Sequence, residues 1–304
     1  MTIHYEEFER ERLDPIYDII APYSEMARNE RYFLNGMIRY FKPRKILEVG
    51  VSNGGGSALI LNAISDIEGA ELYSVDYSEK AYRHPEKVSG FLVEEKFPDF
   101  MGKWHVFRGG DVSRFIEEIG GDIDMLVLDT AHIHPWETLN FLCILPFMKH
   151  SESRVILHDI TLHIGTANRY ELACRYLYAS VVSEEKVTPE PEDKAMFANI
   201  GAFKVSGLTV KHAGNLIETL LIPWEGQISE SDIKDIGRIL EKYYTPEQYR
   251  FFCDILKIQE YMFRNPPGLR SKVKHYMLQK GMNIYSGMYS FLRWIYRHFK
   301  IFRK

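Results

Sequence analysis

The chain has 304 residues, 45% of them apolar and 26% charged, which fits a folded globular protein and excludes disordered, collagen-like and small disulfide-stapled classes. Its net charge of −4 hides a segregation: residues 265–304 hold nine Lys/Arg and no Asp/Glu, leaving 29 basic against 42 acidic residues, or −13, upstream. A nucleic-acid binder would spread its basic residues over the main fold, so nucleic acid is not an expected partner.

The opening MTIHYEEFERERLD lacks a basic stretch followed by an apolar one, and no 18 apolar residues run uninterrupted, so neither a signal peptide nor a membrane span is expected. Cys143, Cys174 and Cys253 are odd in number and widely spaced, which points to a reducing, cytoplasmic setting. Residues 5–41 read as helical, with Tyr17, Ile20, Met26, Phe33, Met37 and Phe41 loosely spaced until Pro43 stops the pattern. Short apolar runs then alternate with helix-length segments: Lys45–Gly50, Glu71–Asp76, Trp104–Arg108, Ile123–Asp129 and Arg154–Asp159. Their continuity suits a parallel sheet covered on both faces. Val181–Val187 and Asn199–Val205 are spaced as an antiparallel pair at one edge, making about seven strands. Between the second and third strands, residues 77–103 form an aromatic and charged insert that suits either an acceptor lid or a surface helix with a loop.

Past Gly207 strand signals cease, and 208–222, 229–243, 246–264 and 269–302 read as helices broken at Pro223, Pro246 and Pro266–Pro267. The expected organisation is therefore N-terminal helices over 1–42, a ligand-binding α/β domain over 43–206 and a helical extension over 207–304.

Ligands of an open parallel sheet bind outside the carboxyl ends of its strands. The first strand ends in ILEVGVSNGGGS, where Gly50, Gly54, Gly55 and Gly56 allow tight turns and close backbone approach. Ser52 stands where a GxGxxG fingerprint needs glycine, and no GK[ST] follows, so dinucleotide and P-loop patterns both fail. The acid-then-glycine pattern, Glu48-x-Gly50 with Gly54–Gly56, resembles motif I of the class I S-adenosylmethionine-dependent methyltransferases. The later strand ends agree in order: Asp76, then Asp111 in GGDV, then LDTAHIH with Asp129 and His132, then LHDI with His158 and Asp159. The last two resemble the small-molecule O-methyltransferase-like branch, of the methyltransferase domain 24 type, and the resemblance covers residues 20–206.

The resemblance implies a Rossmann-like α/β fold of seven mostly parallel strands with helices on both faces, here with the helical extension added. It implies S-adenosylmethionine as cofactor, contacted by Glu48, Gly50, Ser52, Asn53, Gly54 and Ser57, by Asp76 on the ribose hydroxyls and by Asp111 on the adenine amino group. It further implies O-methylation of a small polar acceptor; the branch resemblance together with the basic tail points to a sugar or envelope-glycan precursor as that acceptor. The N-terminal helices, including Tyr23, Ser24 and Met26, are candidates to close over the cofactor, although nothing in their spacing demands it.

A hydroxyl acceptor must lose its proton to a tuned base or to a divalent cation that acidifies it. Five of eleven histidines fall between 132 and 163, and His132 and His158 stand at adjacent strand ends, with His134, His150 and His163 near. His132 is the expected base, with Asp129, His158 and Asp159 completing the catalytic group. Asp129 and Asp159 with a neighbouring histidine also offer an oxygen and nitrogen set for Mg²⁺, although Ile160 stands where metal-dependent relatives carry another ligand. The absence of an Asn/Asp-Pro-Pro-Tyr motif disfavours an N-methyltransferase, and intact strand-end acids disfavour a non-catalytic assembly module.

In the last segment Ile284, Met288, Phe291, Leu292, Ile295, Phe299 and Phe302 fall on one side of a helix, and Arg293, Arg297, Lys300 and Lys304 on the other. Residues 284–304 thus suit either an anionic membrane surface at its inner face or packing on protein, including a second copy in a homo-dimer.

Overall fold

The computed structural model describes residues 3–162, 172–191 and 197–265. The chain divides into two compact units, residues 1–256 and 257–304. The first holds nine strands among its described residues: β1 Lys45–Val49, β2 Glu71–Asp76, β3 Lys80–Ala81, β4 His84–Val88, β5 Trp104–Arg108, β6 Met125–Leu128, β7 Arg154–His158, β8 Lys186–Val187 and β9 Ile200–Lys204. Its helices are α1 Asp14–Ile20, α2 Arg28–Phe41, α3 Gly55–Ile64, α4 Phe91–Lys96, α5 Val112–Ile119, α6 Trp136–Ile144, α7 Ala173–Ser180, α8 Gly207–Lys211, α9 Ala213–Thr219 and α10 Glu230–Tyr243, followed by α11 Pro246–Arg264, which runs into the second unit.

Seven strands form one sheet in the order β5-β2-β1-β6-β7-β9-β8. The first five are parallel, and β9 runs antiparallel to β7 and β8. The runs KILEV, MLVL and RVILH are almost wholly buried, as continuous apolar strands must be when helices cover both faces. Strand order reverses between β1 and β6, and right-handed crossovers place the helices of the two halves on opposite faces. Accordingly α1, α2 and α3 pack together, while α5, α6, α7, α9 and α10 form a second group. The reversal opens a crevice at the carboxyl ends of β1 and β6.

Several local expectations change. The helical region 5–41 resolves into α1 and α2, held apart by a 3-10 turn at Ala21–Tyr23 and extended backbone at Ser24. The 77–103 insert contains the hairpin β3–β4, whose polar HPEKV strand hides no alternation, followed by α4 and a 3-10 segment. The fourth strand begins at Met125, since Ile123 makes only a bridge to Met148. Val181–Val187 reduces to two paired residues, Lys186–Val187. The 208–222 helix breaks at His212 into α8 and α9. The 269–302 helix, its basic face and the membrane or dimer contact inferred for it lie outside the described residues, as does His163. Among the described residues no helix is long and apolar enough to cross a membrane.

A buried hydrogen-bond chain ties the crevice floor together. Ser57 Oγ of α3 and Ser74 Oγ of β2 donate to Glu48 Oε2 of β1 at 2.6 and 2.7 Å, and Trp104 Nε1 of β5 donates to Ser74 Oγ at 2.9 Å. Burial of the Glu48 carboxyl pushes its pKa up to about 7, against the two hydroxyl donors that favour the charged form. At Gly50, φ is +96° and an added Cβ would meet the Asp129 carbonyl oxygen at 1.8 Å, so backbone from β1 and β6 touches there.

Two outcomes follow for stability. The unfolded Glu48 carboxyl titrates near 4.5, so its contribution is fully present below that pH and is lost as pH rises through about 7. Glu48→Gln should flatten this slope, on the order of 3 kcal/mol, in denaturant titrations across pH 4–8. Gly50→Ala should lower stability by about 2–4 kcal/mol in the same assay, because both the positive φ and the 1.8 Å approach are violated.

Candidate active site

The glycine turn between β1 and α3 is built from left-handed residues: φ is +96° at Gly50, +50° at Ser52 and +94° at Gly54. Gly54 lies against Gly90, where a Cβ would meet the Gly90 Cα at 2.9 Å, so the turn is pressed against the residue that caps α4. Asp76, at the end of β2, fastens it. Its Oδ2 accepts the Val51 and Ser52 N–H groups at 3.1 and 2.8 Å and the Ser89 hydroxyl at 2.7 Å, while Oδ1 accepts the Ser78 N–H at 2.8 Å. Asn53 is buried in the turn with its Oδ1 lacking a hydrogen-bond partner among the described residues.

The sequence-derived cofactor group therefore divides by position. Gly50, Ser52, Asn53 and Gly54 form the turn itself, and Asp76 stands beside it. Glu48 and Ser57 lie beneath, bonded to each other and shut from solvent. Asp111 caps α5, accepting the Ser113 N–H at 2.9 Å, and its burial raises its pKa.

At the neighbouring ends of β6 and β7, Asp129, His132, His158 and Asp159 converge. His158 Nδ1 sits 3.1 Å from Asp129 Oδ1 and 3.3 Å from Asp159 Oδ2. Its Nε2 is 3.1 Å from Glu30 Oε2, and that same oxygen accepts the Ala27 N–H at 2.6 Å at the start of α2. Burial disfavours the charged ring, but the charge and hydrogen bond of Asp129, with those of Asp159 and Glu30, outweigh it and hold the His158 pKa well above the ordinary value. His132 has φ +60°, and its Nε2 lies 2.8 Å from Asp159 Oδ2 and 3.7 Å from Asp129 Oδ1. Its Nδ1 faces Glu137 Oε1 at 3.6 Å and Cys174 Sγ at 3.5 Å. For this ring too, burial lowers and the neighbouring carboxylates raise the pKa, with a net rise. Asp159 is the converse: burial raises its pKa, and the two rings more than reverse that, leaving it far below the usual carboxylate range. Asn199 Nδ2 donates to its other oxygen at 2.5 Å.

His132 is more open than His158, with side chains 16% and 4% exposed, and Asp129 at 27% is the most open of the four. His134 and His150 stand apart. The first is fully buried against Tyr176, and its pKa is pushed down to about 4 by burial; the second bonds the Leu145 carbonyl. Sequence reasoning missed Glu30, Glu137, Cys174 and Asn199. Only Glu30 left a local trace, as an acid in the first turn of a helix.

Among the described residues, two trios offer ligand atoms within 4.8 Å of one another: Asp129, His158 and Asp159, and His132, Glu137 and Cys174. In the first, the His158 ring occupies the gap between the two carboxylates and supplies the positive charge there. The same three side chains would be the ligands if a cation such as Mg²⁺ bound there, in place of the charge on the ring.

Residues 47–160 match the family described as "Methyltransferase domain". No curated protein matches the chain in sequence. Solved structures of similar shape include the Bacillus cereus O-methyltransferase in complex with SAH, at 13% identity and TM-score 0.44, covering 64% of this chain and 90% of that one. The SAH-bound Podospora anserina methyltransferase PaMTH1 is 11% identical, at TM-score 0.46 and coverages of 64% and 88%. The Streptomyces achromogenes O-methyltransferase TomG, solved with SAM and involved in tomaymycin synthesis, is 14% identical, at TM-score 0.45 and coverages of 68% and 92%. No residue role follows from such distant likenesses. The family match spans the glycine turn, Asp76, Asp111 and the histidine–aspartate cluster, so over residues 47–160 the chain is similar to a methyltransferase domain.

Proposed function

We propose that this chain transfers the methyl group of S-adenosylmethionine to a hydroxyl oxygen of a small polar acceptor, with sugars and glycan precursors the class to be tested first. The observation that carries the reading is the placement of the Asp129–His132–His158–Asp159 cluster directly beside the glycine turn, where Gly50 touches the Asp129 backbone. The cofactor supplies an activated methyl group, so the protein's task is to align acceptor oxygen, methyl carbon and sulfur and to take a proton. The turn residues hold the cofactor, with Asn53 Oδ1 an unsatisfied acceptor within it.

His132 is assigned as the proton acceptor. Asp159 holds its ring, and the surrounding carboxylates increase its proton affinity. His158 is enclosed by acids on both nitrogens and serves as a fixed internal cation that keeps Asp129 and Asp159 apart from each other's charge.

Because the base must be deprotonated to act and its pKa is raised, kcat/KM should climb with pH through a value above 6.5, the ordinary histidine figure. Asp159→Asn removes the partner that raises the His132 pKa most, so the limb should move to lower pH. His132→Ala should cost about 10²–10⁴-fold in kcat. An unshifted limb in Asp159→Asn, or undiminished turnover in His132→Ala, would remove the base assignment. Chelation with EDTA should leave the rate unchanged, whereas loss that Mg²⁺ restores would show that a cation displaces the His158 bridge.

A further inference from the structure

An aromatic ring held firmly at the mouth of a parallel sheet, yet open on one side, is a surface on which a planar base can stack. Tyr77 is such a ring. It directly follows Asp76 at the end of β2 and is 58% exposed. Its ring meets Trp136, the first residue of α6, at a centroid separation of 5.8 Å and an interplanar angle of 58°. Its hydroxyl donates to Asp232 Oδ2 at 3.0 Å. Asp232 lies 155 residues away, in the first turn of α10, outside the 47–160 domain match, and is only 8% exposed.

The anchor is itself braced. Ser229 Oγ donates to the same Asp232 oxygen at 2.7 Å and accepts the Asp232 N–H at 3.1 Å. Further along α10, Arg238 Nη2 donates to the Ser113 carbonyl at 3.2 Å and Lys242 Nζ to Glu117 Oε1 at 2.8 Å, both on α5, the helix that Asp111 caps. The helix of the extension is thus pinned to the two strand ends, β2 and β5, whose acids are assigned to the nucleoside.

We propose that Asp232 is a positioning residue for the cofactor: it fixes the Tyr77 ring as the stacking platform for the adenine, so that α10 completes the nucleoside pocket. This rests on the cofactor reading above. Removing the anchor leaves the ring in place but free to turn, and the loss falls on ligands that carry the base.

Calorimetric titration of the full chain with S-adenosylhomocysteine and with adenosine tests it. Tyr77→Phe keeps the ring and α10 intact but removes the hydroxyl, and Kd for both ligands should rise about fivefold, the value of one hydrogen bond. Asp232→Ala should do the same, Asp232→Asn, which keeps an acceptor oxygen, should largely restore affinity, and the Tyr77→Phe/Asp232→Ala double variant should be no worse than either single one. Unchanged affinity in Tyr77→Phe, or losses that add in the double variant, overturns the anchor even if Asp232→Ala fails to fold. If the unaltered chain binds neither ligand, the cofactor reading itself falls and takes this inference with it.

Discussion

A buried positive charge shared among three acids is the constraint around which this molecule is arranged. His158, at the end of β7, is pulled by Asp129 and Asp159 on one nitrogen and by Glu30 on the other. None of these groups would tolerate burial alone, since an unpaired charge away from water is far costlier than a paired one. Together they fasten α2 over the strand ends, and α2 brings with it the segment Ala21–Ala27 that runs beside the glycine turn, with the Tyr23 carbonyl oxygen near Gly55. The covering helix and the strand-end acids and histidine are parts of one electrostatic unit.

A second buried polar unit, the Glu48–Ser57–Ser74–Trp104 chain, ties β1, α3, β2 and β5 together much as His158 ties α2 to the ends of β6 and β7. The two meet at Gly50, where the absence of a side chain lets β1 and β6 backbones touch. The crevice is therefore rigid on both walls, which suits a reaction whose demand is alignment.

The parallel strands were legible because KILEV, MLVL and RVILH carry unbroken apolar stretches, Ile46–Leu47, Met125–Leu128 and Val155–Leu157, that do not alternate with polar residues, as suits a sheet covered on both faces. The β3–β4 hairpin was not, because HPEKV is polar, half exposed and carries a proline, so its pairing owes little to side-chain pattern. In the site, the clustering of histidines with acids at strand ends marked Asp129, His132, His158 and Asp159 as a group. Glu30 is 128 residues from His158, and Asp232 is 155 from Tyr77. Such partners are selected by packing between helices, for which a single sequence carries no periodic signal. The same gap explains why Asp76 read simply as a ligand-binding acid, although four protein donors already use its carboxylate.

That double duty of Asp76 changes how the crevice can be altered. Both of its oxygens accept from protein donors, so the carboxylate cannot be exchanged without moving the backbone of the glycine turn, on which the proposed cofactor would rest. On the proposed reading, recognition and architecture would meet at this residue, so a different cofactor preference would have to be built from the periphery, at Tyr77 and Trp136, and not from the acid at the strand end.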